Sequence, residues 1–288
     1  MTAELTSLET AQKKFTDYLH DRGRATATIL AYSKDIEQLV AFLAKKQITQ
    51  ATSVAQEHIE EFKKALDEDK YTAKSISRKL NSVKTFFRFL KSSGTIKDDP
   101  ATLVAHPKYE IKPPRILSKM EYRALRDSAR DDPRMSAVIE LLLQTGMRIG
   151  ELARLETVDI KESEIQIKNF ESHPARSIPL NKAAKNALDR YLKIRPQSRT
   201  KNIFLTKTGR PLLIRNIRTA IDRYFRIAGI KEAKVNDLRH TFIAHQLMTG
   251  ASVILVSKLA GHKRLSTTEK YLDLVKEKTE ERVRLEEL

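Results

Sequence analysis

Cysteine is absent from all 288 residues, which excludes disulfides and thiolate metal sites. No run is long and apolar enough to span a bilayer, and the polar N-terminal stretch lacks the apolar region of a signal peptide. The expectation is a soluble protein of the cytoplasm or nucleoid with no membrane partner. Acidic side chains are also in short supply: 54 Lys and Arg stand against 37 Asp and Glu, a formal charge of +17. That balance favours a polyanion partner, most simply nucleic acid, although ribosomal and membrane-surface proteins can be as basic. Its distribution is more informative. Residues 115–288 hold 35 Lys and Arg against 22 Asp and Glu, so most of the excess lies in the second part of the chain.

The length permits two separate cores. Leu8, Ala11, Phe15 and Leu19 recur at helical spacing until Asp21-Arg22-Gly23, and Ile29, Tyr32, Ile36, Leu39 and Leu43 make a second stripe. Further helices are predicted over 54–66 and from about Thr72 to Lys91. On the last of these, Lys84, Arg88 and Lys91 form a basic stripe beside the apolar one. It is either a solvated face or a set of phosphate contacts. Lys91 to Arg115 is rich in Pro, Gly and Asp without periodicity and reads as a junction, with domains 1–112 and 113–288.

Ser118-Lys119-Met120-Glu121 resembles a capping box, followed by helices to Arg130 and from Pro133 to Gln144. Over residues 158–180 the period shortens to two through Ile160, Ile165, Ile167, Ile178 and Leu180, predicting short antiparallel strands. A helix over 182–194, a short buried strand at Ile203-Phe204-Leu205 and a helix from Ile214 to Ala228 follow. Arg215, Arg218, Arg223 and Arg226 lie on the outer face of that last helix, suited to backbone contacts rather than base readout. The fold class is therefore mainly α in two domains, with a small antiparallel β-sheet in the second.

The densest chemistry lies between Asn236 and Tyr271. Leu238, Phe242 and His245 begin one helical run, Val253, Val256 and Leu259 another, and Gly250 and Gly261 fall where each should stop. His262 is then delivered on a turn, and Tyr271 on a third short run after Ser266-Thr267-Thr268. A lone His near a glycine is usually a solvated turn, and a lone Tyr a half-buried aromatic. Two arginines change the balance, Arg239 on the first run and Arg148 just after an apolar helix. Guanidinium forks grip phosphate oxygens bidentately and a phenol can attack phosphorus, so the four side chains suit a phosphodiester site. Glu151, three residues after Arg148, either holds that arginine or is ordinary N-terminal helix charge.

TGMRIGEL, LRHTFIAHQLMTG, LAGH and TTEKY together resemble the tyrosine recombinase/integrase family, close to Xer-type recombinases in length and layout. The resemblance implies a helical, SAM-like core-binding domain that closes with the catalytic domain as a clamp on double-stranded DNA. It further implies strand exchange at a specific site through a covalent 3′-phosphotyrosyl intermediate, with no metal and no cofactor. Arg148 and Arg239 would bind the scissile phosphate, His262 would add a hydrogen bond, and Tyr271 would be the nucleophile.

Two positions depart from the family pattern. Its lysine lies on a strand turn and protonates the leaving 5′-oxygen; here the turn lacks Gly-Lys-Gly, and Lys168 takes the role, unless it is a solvent-facing strand residue. The position three residues before Arg239, usually His or Lys, is Asn236, which can hydrogen-bond a phosphate but cannot accept a proton near neutral pH. His240 is expected not to substitute, being turned about 100° from Arg239 around the helix. Residues 272–288 read as a terminal helix with Leu272, Val275, Val283, Leu285 and Leu288 apolar. This helix either packs on its own domain or, as in related recombinases, docks on a neighbour in a tetramer; the second reading is preferred, so a homotetramer is expected, with a second recombinase or accessory protein a possible partner. The biological role would be chromosome-dimer resolution, and so chromosome partition, or integration and excision of a mobile element. A type IB topoisomerase-like enzyme and a DNA-binding protein that has lost catalysis are the alternatives.

Overall fold

The computed structural model describes residues 6–170 and 173–285, with side chains through Val275. The chain divides into two compact units, Met1–Ile111 and Lys112–Leu288.

Among the described residues the first unit has four α-helices: α1 (Leu8–Asp21), α2 (Thr26–Lys45), α3 (Gln56–Glu68) and α4 (Ala73–Ser92). Hydroxyl caps start two of them: Ser7 accepts from the Thr10 amide and Thr72 from the Ser75 amide. The apolar stripes meet in one core around Phe15, Ile36, Leu39, Phe62, Leu80 and Phe86, with Phe15 and Phe86 edge-on at 5.3 Å between centroids. Ile96, Ala101 and Val104 bury against the same core. The start of the Pro- and Gly-rich stretch thus belongs to this unit rather than to a free linker.

A buried carboxylate ties α2 to α4. Asp35, 2% exposed, accepts two hydrogen bonds from Arg78 at 2.6 and 2.8 Å, one from Lys79 at 3.0 Å and one from the Ser82 hydroxyl at 2.7 Å. Burial alone would raise the Asp35 pKa. The Arg78, Ser82 and Lys79 donors more than offset it and hold the carboxyl below its ordinary range. Of the basic stripe on α4, Arg88 and Lys91 are exposed, while Lys84 is half-buried and donates to the Thr102 carbonyl at 3.2 Å.

The second unit runs α5 (Lys119–Ser128), α6 (Pro133–Thr145), α7 (Ile149–Arg154), β1 (Glu164–Ile167), β2 (Arg176–Pro179), α8 (Lys182–Ile194), α9 (Ile214–Ile227), α10 (Val235–Met248), α11 (Val253–Ala260) and α12 (Ser266–Leu285). The capping box at Ser118 forms: its hydroxyl accepts from the Glu121 amide, and Glu121 accepts from the Ser118 amide. The two strands pair antiparallel, with Ile165 opposite Ile178 and Ile167 opposite Arg176.

Two expectations change. Ile203-Phe204-Leu205 is fully buried but makes only an isolated bridge, Leu205 to Pro211, and is not a strand. The Tyr191 hydroxyl stands in for a ladder there, donating to the Ile203 carbonyl at 3.1 Å and accepting from the Leu205 amide at 3.0 Å. The run carrying Tyr271 and the terminal helix are also not separate elements. They form the single helix α12, because no Gly or Pro interrupts residues 266–285. The side chains of Val283, Leu285 and Leu288, on which tetramer docking was expected to rest, lie outside the described residues, as do Glu171 and Ser172 of the lysine turn. Among the described residues no helix is long and apolar enough to cross a membrane.

Replacing the Asp35 hub tests how the first unit is held. Asp35→Ala leaves Lys79 buried without its carboxylate and is expected to destabilise the unit by about 3 kcal/mol. Native-state hydrogen exchange of α2 and α4 in the full chain measures this loss. Unchanged protection would show that apolar packing alone holds the pair.

Candidate active site

The C-terminus of α11 is where the site assembles. A helix leaves its last carbonyls without intrahelical donors, and its dipole places partial negative charge there. Three arginines from three other elements supply the missing donors. Arg176 of β2 donates Nε to the Leu259 carbonyl at 2.7 Å. Arg239 of α10 donates Nη2 to Ala260 at 2.6 Å, and Arg148 reaches both Ala260 at 3.4 Å and Gly261 at 2.8 Å. Arg148 and Arg239, 91 positions apart in the sequence, thus share one carbonyl acceptor. The other end of the Arg239 fork donates Nη1 to the Gly146 carbonyl at 2.5 Å.

Two glycines allow this approach. Gly146 ends α6 at φ +61°, and a Cβ there would lie 2.2 Å from the Phe242 ring. Gly261 ends α11 at φ +65°, where a Cβ would stand 2.8 Å from Arg176 Nη1. Any side chain would need a strained backbone and would also displace an aromatic ring or a site arginine.

Glu151 balances the cluster. Its side chain is 5% exposed and that of Arg176 is 4% exposed, and they pair fork to fork at 2.9 and 2.8 Å. The same carboxylate accepts from the Arg148 backbone amide at 2.8 Å and from Arg148 Nη1 at 3.1 Å. Glu151 therefore caps α7 and holds Arg148 at once. Burial opposes its ionisation, but Arg176 and Arg148 more than compensate and hold its pKa at about 2. Arg176 was not singled out in the sequence. The available signal was its alternation with Ile178, which puts a charged residue on the buried face of a strand.

Three guanidiniums around one carboxylate leave the site cationic, and its other titratable groups respond. Arg239 is lowered to about 10 by burial and by the Arg148 charge. His262 is lowered to about 4, first by burial and then by Arg239, Arg148 and Arg176, so it is neutral at pH 7. Its Nδ1 lies 2.7 Å from the hydroxyl of Thr268, which is fully buried at the start of α12. Tyr271, 5% exposed, packs with Phe242, Ile243 and Val256, and its hydroxyl lies 2.6 Å from His240 Nδ1. Burial raises the phenol, with Arg239 partly offsetting the shift.

Arg148, Arg239, His262 and Tyr271 therefore come from four elements or turns to one place. Lys168 makes its contacts elsewhere: Nζ pairs with Glu156 at 2.5 Å and Asp159 at 3.1 Å, and these carboxylates raise the ammonium above its ordinary value. Asn236 is exposed on the first turn of α10, and Arg215 and Arg218 are exposed on α9. His240, expected not to substitute for the residue at position 236 because it is turned from Arg239, nevertheless contacts the Tyr271 hydroxyl. Measured from Asn236, four residues earlier, His240 lies on the same helix face, about 40° away.

Residues 114–278 match the phage integrase family, and residues 13–94 match the phage integrase N-terminal SAM-like domain. The chain is 31% identical over 269 residues to the tyrosine recombinase XerC of Thermodesulfovibrio yellowstonii, covering 87% of this chain and 86% of the relative. It is 30% identical over 278 residues to the XerC of Anoxybacillus flavithermus, covering 91% and 92%. A lambda integrase tetramer bound to a Holliday junction has the same fold, with a TM-score of 0.75 at 20% identity over 90% of this chain and 78% of that one.

The Glu151 pair makes a pH prediction. A carboxyl held at about 2, against an ordinary 4.5, stabilises the fold fully above about pH 4.5 and loses that contribution as the pH falls toward 2. Glu151→Gln should remove this part of the acid transition and cost about 3 kcal/mol at neutral pH by leaving Arg176 buried and unpaired. Urea unfolding at pH 7 and pH 3 measures both effects. A variant that tracked the wild type at both pH values would contradict the assignment.

Proposed function

The chain belongs to the phage integrase family of tyrosine-type site-specific DNA recombinases, and from that premise we propose how its residues divide the reaction. Arg148 and Arg239 bind the scissile phosphate and stabilise the charge of the pentacoordinate transition state. The observation that carries this reading is their shared acceptor at Ala260. Both guanidiniums are organised without DNA around one carbonyl, beside His262. A phosphate oxygen offers them a stronger, charged acceptor.

His262 donates one hydrogen bond to that phosphate. As a neutral imidazole it carries a single N–H; in this reading Nδ1, 2.7 Å from the Thr268 hydroxyl, is the acceptor and the proton sits on Nε2. Tyr271 attacks in line, forming the phosphotyrosyl bond and releasing the 5′-oxygen. Lys168 protonates that oxygen, which requires it to leave Glu156 and Asp159 when DNA is bound. Asn236 adds a hydrogen bond to the phosphate. The phosphotyrosine conserves the bond energy, so resealing to a second strand needs no added energy source.

DNA is held by phosphate contacts from Arg88 and Lys91 on α4 and Arg215 and Arg218 on α9, the exposed cations of those faces. Lys84 joins them if its Thr102 contact exchanges for phosphate. The boundary near residue 112 separates a DNA-clamping helical domain from the catalytic one. The working assembly is a tetramer on two synapsed sites, docked through the C-terminal part of α12, and a second recombinase or an accessory protein can complete it. Action on chromosomal or mobile-element DNA places the enzyme in the cytoplasm with the nucleoid, where dimer resolution would serve chromosome partition.

A nicked suicide substrate tests the core of this reading, with the cognate site taken from genomic fragments selected by binding. Wild type is expected to form a covalent adduct stable to denaturation, and Tyr271→Phe to bind equally and form none. Tight binding without any wild-type adduct would sink the assignment of Tyr271. Lys168→Ala should slow cleavage about 100-fold and recover when sulfur replaces the leaving 5′-oxygen, because a thiolate leaves without a proton. An unchanged rate on ordinary DNA would move the acid to another residue.

A further inference from the structure

The attacking phenol must lose its proton, and none of the roles above receives it. Burial keeps Tyr271 protonated at neutral pH. Guanidiniums cannot accept a proton, and neither can the Asn236 amide. His262 has its Nδ1 at Thr268, and in the role proposed above its other nitrogen donates to the phosphate. Among the described residues, the single hydrogen-bond partner of the Tyr271 hydroxyl is His240, with Nδ1 at 2.6 Å. That is within direct proton-transfer reach.

The placement follows from helix geometry. Asn236 and His240 are four residues apart on α10, so the histidine sits one turn along the same face. Where Asn236 offers no base, the next residue on that face offers one. The imidazole is half-buried, and its rings stand 5.9 Å from the tyrosine centroid to centroid. Burial holds His240 below its ordinary value, with Arg239 acting in the same direction and Asp237 against it, so it is neutral and carries a free lone pair at pH 7.

We propose that His240 is a catalytic residue of this recombinase, taking the Tyr271 proton on Nδ1 as the phenolic oxygen attacks phosphorus. The inference rests on Tyr271 being the nucleophile. As the Oη–P bond forms and the P–O5′ bond breaks, the tyrosine proton moves to Nδ1. The departing 5′-oxygen takes its own proton from the acid assigned to Lys168. Resealing runs backward: a 5′-hydroxyl attacks the phosphotyrosine, and Oη leaves with the proton that His240 held. No oxidant, reductant or metal enters the balance.

Single-turnover cleavage of the suicide substrate by wild type, His240→Ala, His240→Asn and Tyr271→Phe tests it, with oxygen or sulfur at the leaving position. His240→Asn is the deciding variant. Its amide can keep a hydrogen bond to the phenol but cannot take a proton near neutrality. Both His240 variants are expected to form adduct about 100-fold more slowly than wild type, equally on the two substrates, with His240→Asn binding DNA as wild type does. A His240→Asn rate near wild type would reduce His240 to a residue that positions the phenol and would overturn the proposal. Rescue by sulfur would place its action on the leaving group and overturn it equally. The premise fails in a different way: wild type itself would form no Tyr271-dependent adduct.

Discussion

The carbonyls at the end of α11 are the constraint on which the catalytic unit turns. An α-helix that stops leaves acceptors with no internal donor, and here the vacancy is filled by guanidiniums from β2, α10 and the α6–α7 turn. The same backbone requirement that any buried helix end must meet brings together the cations a phosphodiester site needs. Gly261 is the hinge of this arrangement, because it ends the helix in a left-handed conformation and leaves room for Arg176 beside it.

Concentrated positive charge has to be tolerated before DNA arrives. One buried carboxylate, Glu151, does most of this by pairing with Arg176 and Arg148. Arg239 is left to backbone carbonyls, and burial together with the Arg148 charge depresses its guanidinium while Glu151 is driven strongly acidic. Burial, reinforced by the same arginine charges, keeps His262 neutral. A neutral imidazole can donate a hydrogen bond without adding another charge to the cluster. Lys168 is paired instead with Glu156 and Asp159.

Local pattern carried much of this through to the folded molecule. The stripes of α1 to α4, the capping box at Ser118, the period-two stretch that became β1 and β2, and the glycines that follow α10 and α11 each rest on neighbours within a few residues. Pattern failed where burial and backbone satisfaction part company. Ile203-Phe204-Leu205 is as buried as any strand, yet scattered partners, the Tyr191 hydroxyl and the backbones of Leu155 and Leu212 among them, satisfy it in place of a regular ladder. The helix break expected between Tyr271 and the terminal segment was absent for the opposite reason: nothing in the sequence of α12 prevents continuation.

By itself the sequence determined the residue types at the site, the helices that carry them, and the family, because period, caps and motif spacing are properties of contiguous residues. Only the tertiary structure decided the partners. Arg176 finds Glu151 across 25 positions, His240 finds Tyr271 across 31, and Arg148 finds Gly261 across 113. Helical periodicity says which face a side chain occupies, but not which distant segment packs against that face. The identity of the group beside the Tyr271 hydroxyl was therefore fixed by the packing of α12 on α10.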